Sequence, residues 1–167
     1  VAGPGSQVTV ALKLVNPNVF PTAMLLQRSE RELKQLERVT STSIARIIAH
    51  GRQGDQLWIA SELVPGGRTL AAEVAAAPLD VQRATEVMLA VGKALADAAA
   101  VGVIHRDLSP KNVLLTGGGV KLINFSIPVP ATERVQGVPA FVAPEVVEGK
   151  PVDQRSNIYS LGAVWYF

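Results

Sequence analysis

The stretch His105–Asn112 holds the residue types that acid–base and cation-binding chemistry uses. It reads His-Arg-Asp-Leu-Ser-Pro-Lys-Asn, with an acid at Asp107 and an amide at Asn112, five positions later. Carboxylates are common general bases, and carboxylate and amide oxygens can both ligate hard cations. The stretch follows an apolar helical pattern and precedes the short apolar run 113–115, so we predict a loop that joins a helix to a strand.

Composition sets the bounds on this chemistry. The 167 residues suffice for one domain with a core, and 48% hydrophobic residues with a mean hydropathy of +0.25 argue against disorder. Sixteen basic residues against 14 acidic ones give a formal charge of +2, which makes no case for binding nucleic acid or an anionic membrane. The absence of cysteine excludes disulfides and thiolate metal sites.

Periodicity predicts elements that divide into two groups. A first group of strands with one helix precedes a long amphipathic helix, capped by Asp80 and stopped by Gly102, which leads into the loop. We predict strands at 8–15, 44–49, 57–64, 113–115 and 120–123, a turn at 51–55, and helices at 27–39, after Asp80 and from 153. This order suggests two lobes with a pocket between them.

The loop resembles the catalytic loop of eukaryotic-type protein kinases, in particular bacterial Ser/Thr kinases. Further motifs of that family follow the family's order: 10–13 resembles the lysine strand, 57–67 the fifth strand and hinge, and 137–145 the end of the activation segment. The resemblance implies an α+β, bilobal kinase-like fold. Residues 1–64 would form part of a small antiparallel β-lobe with one helix, and 65–167 the first part of a mainly helical lobe.

The resemblance also implies an ATP site between the lobes. Lys13 would contact the α- and β-phosphates, and Glu32, with Glu30 as the alternative, would pair with Lys13 in the active arrangement. The hinge backbone from Glu62 to Val64 would bind adenine, beside a small side chain at Ser61. The residues expected to contact the nucleotide are Ala11, Lys13, Glu32, Glu62, Val64 and Leu114.

By the same resemblance, Asp107 would be the catalytic base and Asn112 a magnesium ligand. The Ser/Thr pattern expects a lysine two residues after the acid, where this chain has Ser109. Lys111 either restores that charge from a neighbouring position or is an ordinary solvated loop lysine. His105 is expected to be a packed structural residue.

The second metal position departs from the family. Asn124-Phe125-Ser126 stands where the family has Asp-Phe-Gly, so an uncharged amide replaces the carboxylate expected to bind magnesium. Val138 replaces a threonine, and Asn157 replaces an aspartate that braces the catalytic loop. We therefore expect ATP and magnesium to bind weakly, with Asn112 and a degenerate Asn124 as the metal ligands.

Three functions are compatible with these residues. The first is a pseudokinase that binds a protein partner and retains some nucleotide binding. The second is a weak Ser/Thr kinase using Lys13, Asp107, Lys111 and Asn112. The third, a small-molecule phosphotransferase, is disfavoured by the motif at 137–145. The departures favour the pseudokinase, because they cluster on the phosphate and substrate side.

The sequence also gives expectations about phosphorylation, chain length and cellular location. Arg106 would pair with a phosphorylated activation-segment residue, for which Thr132 is a candidate, or Thr132 is an unmodified loop residue. No Gly-x-Gly-x-x-Gly precedes Lys13, so we expect the natural protein to be longer. The segment 87–104 contains charges and makes a poor membrane span. We expect a cytoplasmic protein, or the cytoplasmic domain of a protein whose membrane tether lies outside this piece.

Overall fold

The first lobe is a three-stranded antiparallel sheet with one helix packed against it. The computed structural model describes residues 8–125 and 139–167. The sheet has the order β1-β3-β2, and its elements are β1 (Val10–Val15), α1 (Ala23–Leu36), β2 (Ile47–Gln53) and β3 (Gln56–Glu62). Leu26 and Leu33 of α1 pack on Val15, Leu57 and Ile59 of the sheet, which holds the helix across it.

The second lobe is mainly helical and carries a smaller antiparallel sheet of order β4-β5-β6. Its elements are β4 (Arg68–Thr69), α2 (Leu70–Ala76), α3 (Val81–Ala100), β5 (Val113–Thr116), β6 (Gly119–Leu122), α4 (Pro144–Val147) and α5 (Gln154–Tyr166). As predicted, Asp80 caps α3, since its Oδ1 accepts a hydrogen bond of 2.8 Å from the Arg83 amide. Gly102, at φ 75°, follows the end of α3 in the left-handed conformation that favours glycine.

The core of the second lobe fixes the loop that carries the candidate chemistry. Val87 and Val91 of α3 and Val103, Val113 and Leu122 are all fully buried in one apolar cluster. Because the cluster includes both α3 and β5, the connecting loop at 103–112 is anchored at both of its ends.

The two lobes are joined by main-chain hydrogen bonds at the back of the cleft. The Ala45 amide donates to Leu122 O at 3.0 Å, and the Leu122 amide donates to Ser43 O at 2.8 Å. Leu36 and Ile44, from the first-lobe side, belong to the apolar cluster of the second lobe. These contacts therefore fix the positions of the two cleft walls relative to each other.

The predicted α+β, bilobal architecture is confirmed, whereas several element boundaries were wrong. Helix α1 begins at Ala23, four residues before the prediction, because Thr22 caps it by accepting from the Leu25 amide. Strand β2 begins at Ile47, three residues after the prediction, because residues 43–45 pair with β6, and its pairing with β3 extends it through Gln53. The turn therefore narrows to 54–55, and α2 was not predicted. Within the described residues, none of the helices is long and apolar enough to cross a membrane.

Candidate active site

A cavity of about 220 Å³ lies between the lobes, and most of its walls are apolar. Strand β1, the segment after β3, strand β5 and residues 123–125 all contribute to its lining. Five of the six residues expected to contact a nucleotide line it, namely Ala11, Lys13, Glu62, Val64 and Leu114. Glu32 lies instead on the buried face of α1. An apolar slot with few polar groups is the usual form of a small-ligand site.

The hinge side of the cavity is held by Glu62. Its amide donates to Arg46 O at 2.8 Å, and its carboxylate accepts from Lys121 Nζ at 2.9 Å and from the Arg46 amide at 3.1 Å. Burial alone would raise the pKa of Glu62, but these donors outweigh it and lower the pKa. Because Lys121 belongs to β6, this carboxylate links the hinge to the second lobe.

The amine of Lys13 reaches across the cleft to Asn124. Lys13 Nζ donates to Asn124 Oδ1 at 3.1 Å. Although the residue as a whole is solvent-exposed, desolvation of the amine lowers the pKa of Lys13, and the nearby Asp107 charge opposes that shift. Asn124 has φ 65°, a left-handed conformation that asparagine tolerates better than most residues.

Glu32 does not take the partner that the family resemblance implied. Arg106 donates to both of its oxygens, NH1 to Oε2 and NH2 to Oε1, each at 2.6 Å. Arg28 Nε also donates to Oε1, at 3.0 Å. In this structure Glu32 therefore pairs with Arg106 and Arg28, in place of the Lys13 expected in the active arrangement. The planar guanidinium matches a carboxylate with two parallel bonds, whereas an ammonium offers only a point charge.

Asp107 and Asn112 are held together at the floor of the cleft. Asn112 Nδ2 donates to Asp107 O at 2.7 Å and to Asp107 Oδ2 at 2.9 Å. Asn124 Nδ2 in turn donates to Asn112 Oδ1 at 2.8 Å. The chain thus brings the predicted base and both predicted metal ligands into one hydrogen-bonded group.

His105 lies beneath this group and is fully buried. Its Nε2 faces Ile123 O at 2.9 Å, and its Nδ1 accepts from the Asp107 amide at 3.3 Å, so the network assigns the proton to Nε2. Its ring packs on Phe125, with centroids 4.5 Å apart. Burial lowers the pKa of His105 to about 4. A neutral histidine that spans two backbone segments has the structural role expected for it.

Similarity to known proteins identifies the family of this chain. The family model described as "Protein kinase domain" matches residues 4–167. This chain belongs to the protein kinase family. Serine/threonine-protein kinase pkn2 of Myxococcus xanthus is 31% identical over 97% of the chain, and PkaA of Streptomyces coelicolor is 33% identical over 99% of it. The chain spans 22% and 32% of the lengths of those two relatives.

A solved structure agrees with the family assignment. The crystal structure of the Mycobacterium tuberculosis PknI kinase domain superposes with a TM-score of 0.81 at 30% sequence identity. The match covers 98% of this chain and 64% of that one. The bilobal architecture is therefore that of a protein kinase domain, present here over part of its length.

Other predicted residues of this kinase domain lie apart from the cleft group. Lys111 is exposed on a short 3-10 turn, so its role stays a prediction. Asn157 donates to Gln154 Oε1 at 3.0 Å. Gln154 Nε2 itself donates to Val103 O at 3.2 Å, which ties α5 to the start of the catalytic loop. Gln154 was missed because nothing in its local pattern distinguishes it from a surface glutamine.

Part of the predicted activation segment lies outside the residues that the structure describes. Ser126, Thr132 and Val138 are the residues concerned. The proposed phosphorylation of Thr132 and the altered peptide surface at Val138 stay predictions. The pairing of Arg106 with Glu32 was also missed, since Arg106 was expected to pair with a phosphorylated residue of the activation segment.

Proposed function

We propose that this kinase domain is a pseudokinase, a module that binds a protein partner and a nucleotide with weak or no phosphoryl transfer. The observation that supports it most is the exchange of partners at Glu32. Its carboxylate is taken by Arg106, and Lys13 is left to a neutral amide at 3.1 Å. Kinase catalysis depends on the lysine–glutamate pair and on an aspartate at the position of Asn124.

Nucleotide binding is supported by the cavity. Its apolar walls suit a purine base, the backbone of Glu62 and Val64 borders it, and the amine of Lys13 lies where it would meet phosphates. ATP is accordingly the ligand that we propose. A ligand that binds only the folded state at a hundredfold excess over its Kd stabilises that state by about 2.7 kcal/mol, so a thermal shift with ATP tests this part.

A weak Ser/Thr kinase is the second candidate, and one observation favours it. Asp107 and Asn112 are held together by two hydrogen bonds, which keeps the predicted base ordered. Catalysis here is largely positioning and electrostatics, so the loss of one charged group would reduce the rate without abolishing it. The relatives pkn2 and PkaA are both named Ser/Thr kinases.

Transfer of radioactive phosphate from γ-labelled ATP separates the two candidates. The full-length protein is incubated with a generic protein substrate and Mg²⁺ or Mn²⁺, beside Asp107→Asn. Asp55→Asn is the matched control, because it makes the same chemical change at an exposed side chain outside the cavity lining. We expect the wild type to incorporate no more label than Asp107→Asn. Incorporation that Asp107→Asn abolishes and Asp55→Asn preserves would establish the weak kinase instead.

A further inference from the structure

A continuous chain of hydrogen bonds crosses the floor of the cleft. Lys13 Nζ donates to Asn124 Oδ1 at 3.1 Å, Asn124 Nδ2 donates to Asn112 Oδ1 at 2.8 Å, and Asn112 Nδ2 donates to Asp107 Oδ2 at 2.9 Å. We call these four side chains the amide relay. It links a cation on one lobe to an anion on the other through two neutral amides.

The direction of the amide relay is fixed by its two ends. An ammonium can only donate, so Asn124 must present its oxygen to Lys13 and its nitrogen to Asn112. An ionised carboxylate can only accept, so Asn112 must present its nitrogen to Asp107, and the Asp107 carbonyl at 2.7 Å imposes the same orientation. Both amide assignments follow from chemistry, and an aspartate at 124 could not donate to Asn112.

The amide relay does not fit the divalent cation that the kinase family implies. The oxygen of Asn112 accepts from an amide N–H, and the oxygen of Asn124 accepts from an ammonium, so hydrogen-bond donors already occupy both expected ligand atoms. Magnesium is normally bound through one or two carboxylates together with substrate phosphates. Across residues 8–125 and 139–167, no group of three or more His, Cys, Asp or Glu side chains could hold a metal ion.

The same amide keeps the charge of Lys13 available. A carboxylate at 124 would neutralise the ammonium, whereas the Asn124 amide holds it in place without cancelling its charge. We propose that Asn124 is a positioning residue that lets the cleft bind a nucleoside triphosphate through Lys13 without a divalent cation. The proposal rests on the nucleotide binding proposed above, and it assigns the metal preference of that site to one amide.

Calorimetric titration of ATP into the full-length protein, in EDTA and in Mg²⁺ at matched ionic strength, tests the proposal. The wild-type Kd should agree between the two conditions within about twofold. For Asn124→Asp, ATP should bind about tenfold or more tightly with Mg²⁺ than in EDTA, as expected for an interaction with a charged group. Asn18→Asp makes the same amide-to-carboxylate change at an exposed site and should behave like wild type.

A wild-type protein that binds ATP tenfold more tightly with Mg²⁺, or an Asn124→Asp protein that shows no metal dependence, would overturn the proposal. Should neither protein bind ATP, nucleotide binding as a function fails, and the amide relay is judged by Mg²⁺ alone. In that arm, Mg²⁺ that raises the melting temperature of wild type as much as that of Asn124→Asp refutes the relay, because the amide would then not exclude the cation. If Asn124→Asp does not fold, the wild-type titration still decides.

Discussion

The ion pair between Arg106 and Glu32 makes a quantitative prediction, because the same carboxylate binds two arginines of different burial. The Arg106 and Glu32 side chains are 16% and 6% exposed, whereas Arg28 is 51% exposed. Removing one member of a buried pair costs about 3–5 kcal/mol, but an exposed pair contributes only about 0–1 kcal/mol. Since Glu32 keeps Arg28, we expect Arg106→Gln to cost about 3 kcal/mol, at the lower end of that range.

Arg28→Gln is the matched control, with an expected cost below about 1 kcal/mol. For a domain of this size, one kcal/mol moves the melting temperature by about 2–4 °C, so the two variants should fall by about 6–12 °C and by less than about 4 °C. Urea unfolding at equilibrium measures both values. Arg106 has φ 67°, and glutamine retains that backbone constraint, so the comparison isolates the side chain.

A double-mutant cycle closes the argument. In the Arg106→Gln variant, the buried Glu32 carboxylate has lost one of its arginines. Adding Glu32→Gln removes that buried charge, so much of the lost stability should return. If Arg106→Gln and Arg28→Gln cost the same, or if Glu32→Gln restores nothing, burial of this pair is not what makes it strong.

Three further predictions concern the frame of the site. The pKa of His105 in the folded protein is about 4, below its ordinary value of 6.5, so the neutral ring contributes its full stability above pH 6.5. About 3 kcal/mol of that stability should be lost as the pH falls from 6.5 to 4. Urea unfolding at a series of pH values measures this loss, and a His105→Gln variant that loses stability equally steeply would refute the prediction. Asp80→Ala removes the cap of α3 and should cost about 1 kcal/mol in the same assay, while Asp80→Asn should retain most of that stability. Gly51→Ala places a Cβ 2.6 Å from the Trp58 ring and should cost about 1–3 kcal/mol of folding stability. In Gly117→Ala the new Cβ meets nothing within 4 Å, so that variant should melt close to the wild-type temperature, and equal effects of the two variants would show that the Trp58 ring moves freely.

Sequence reasoning located the cleft because its residues lie in motifs with fixed spacing. Asp107 and Asn112 are five positions apart on one anchored loop, and Lys13 lies on a strand whose neighbours pair in regular register. Residues that are close in sequence on one element stay close together in the folded chain. The apolar periodicity similarly predicted α3, and the residue types of Asp80 and Gly102 predicted its cap and its stop.

The partners of the charged groups could not be predicted in the same way. Glu32 and Arg106 are 74 positions apart, and Lys13 and Asn124 are 111 apart. Which cation a buried carboxylate takes depends on the small difference between two arrangements, each of which satisfies it. Sequence spacing contains no information on that difference, so the pairing of Glu32 with Arg106 was not predicted.

The two unexpected contacts follow from one requirement, that a charge withdrawn even partly from water needs a partner. Glu32 is buried and must be paired, and its carboxylate can take either the fork of Arg106 or the point charge of Lys13. With Arg106 chosen, the Lys13 amine needs an acceptor, and Asn124 provides one that also donates to Asn112. An acidic or phosphorylated group that bound Arg106 would have to compete with Glu32 for the guanidinium. The position of α1 and the chemistry of the cleft floor are therefore linked through the choice of one cation.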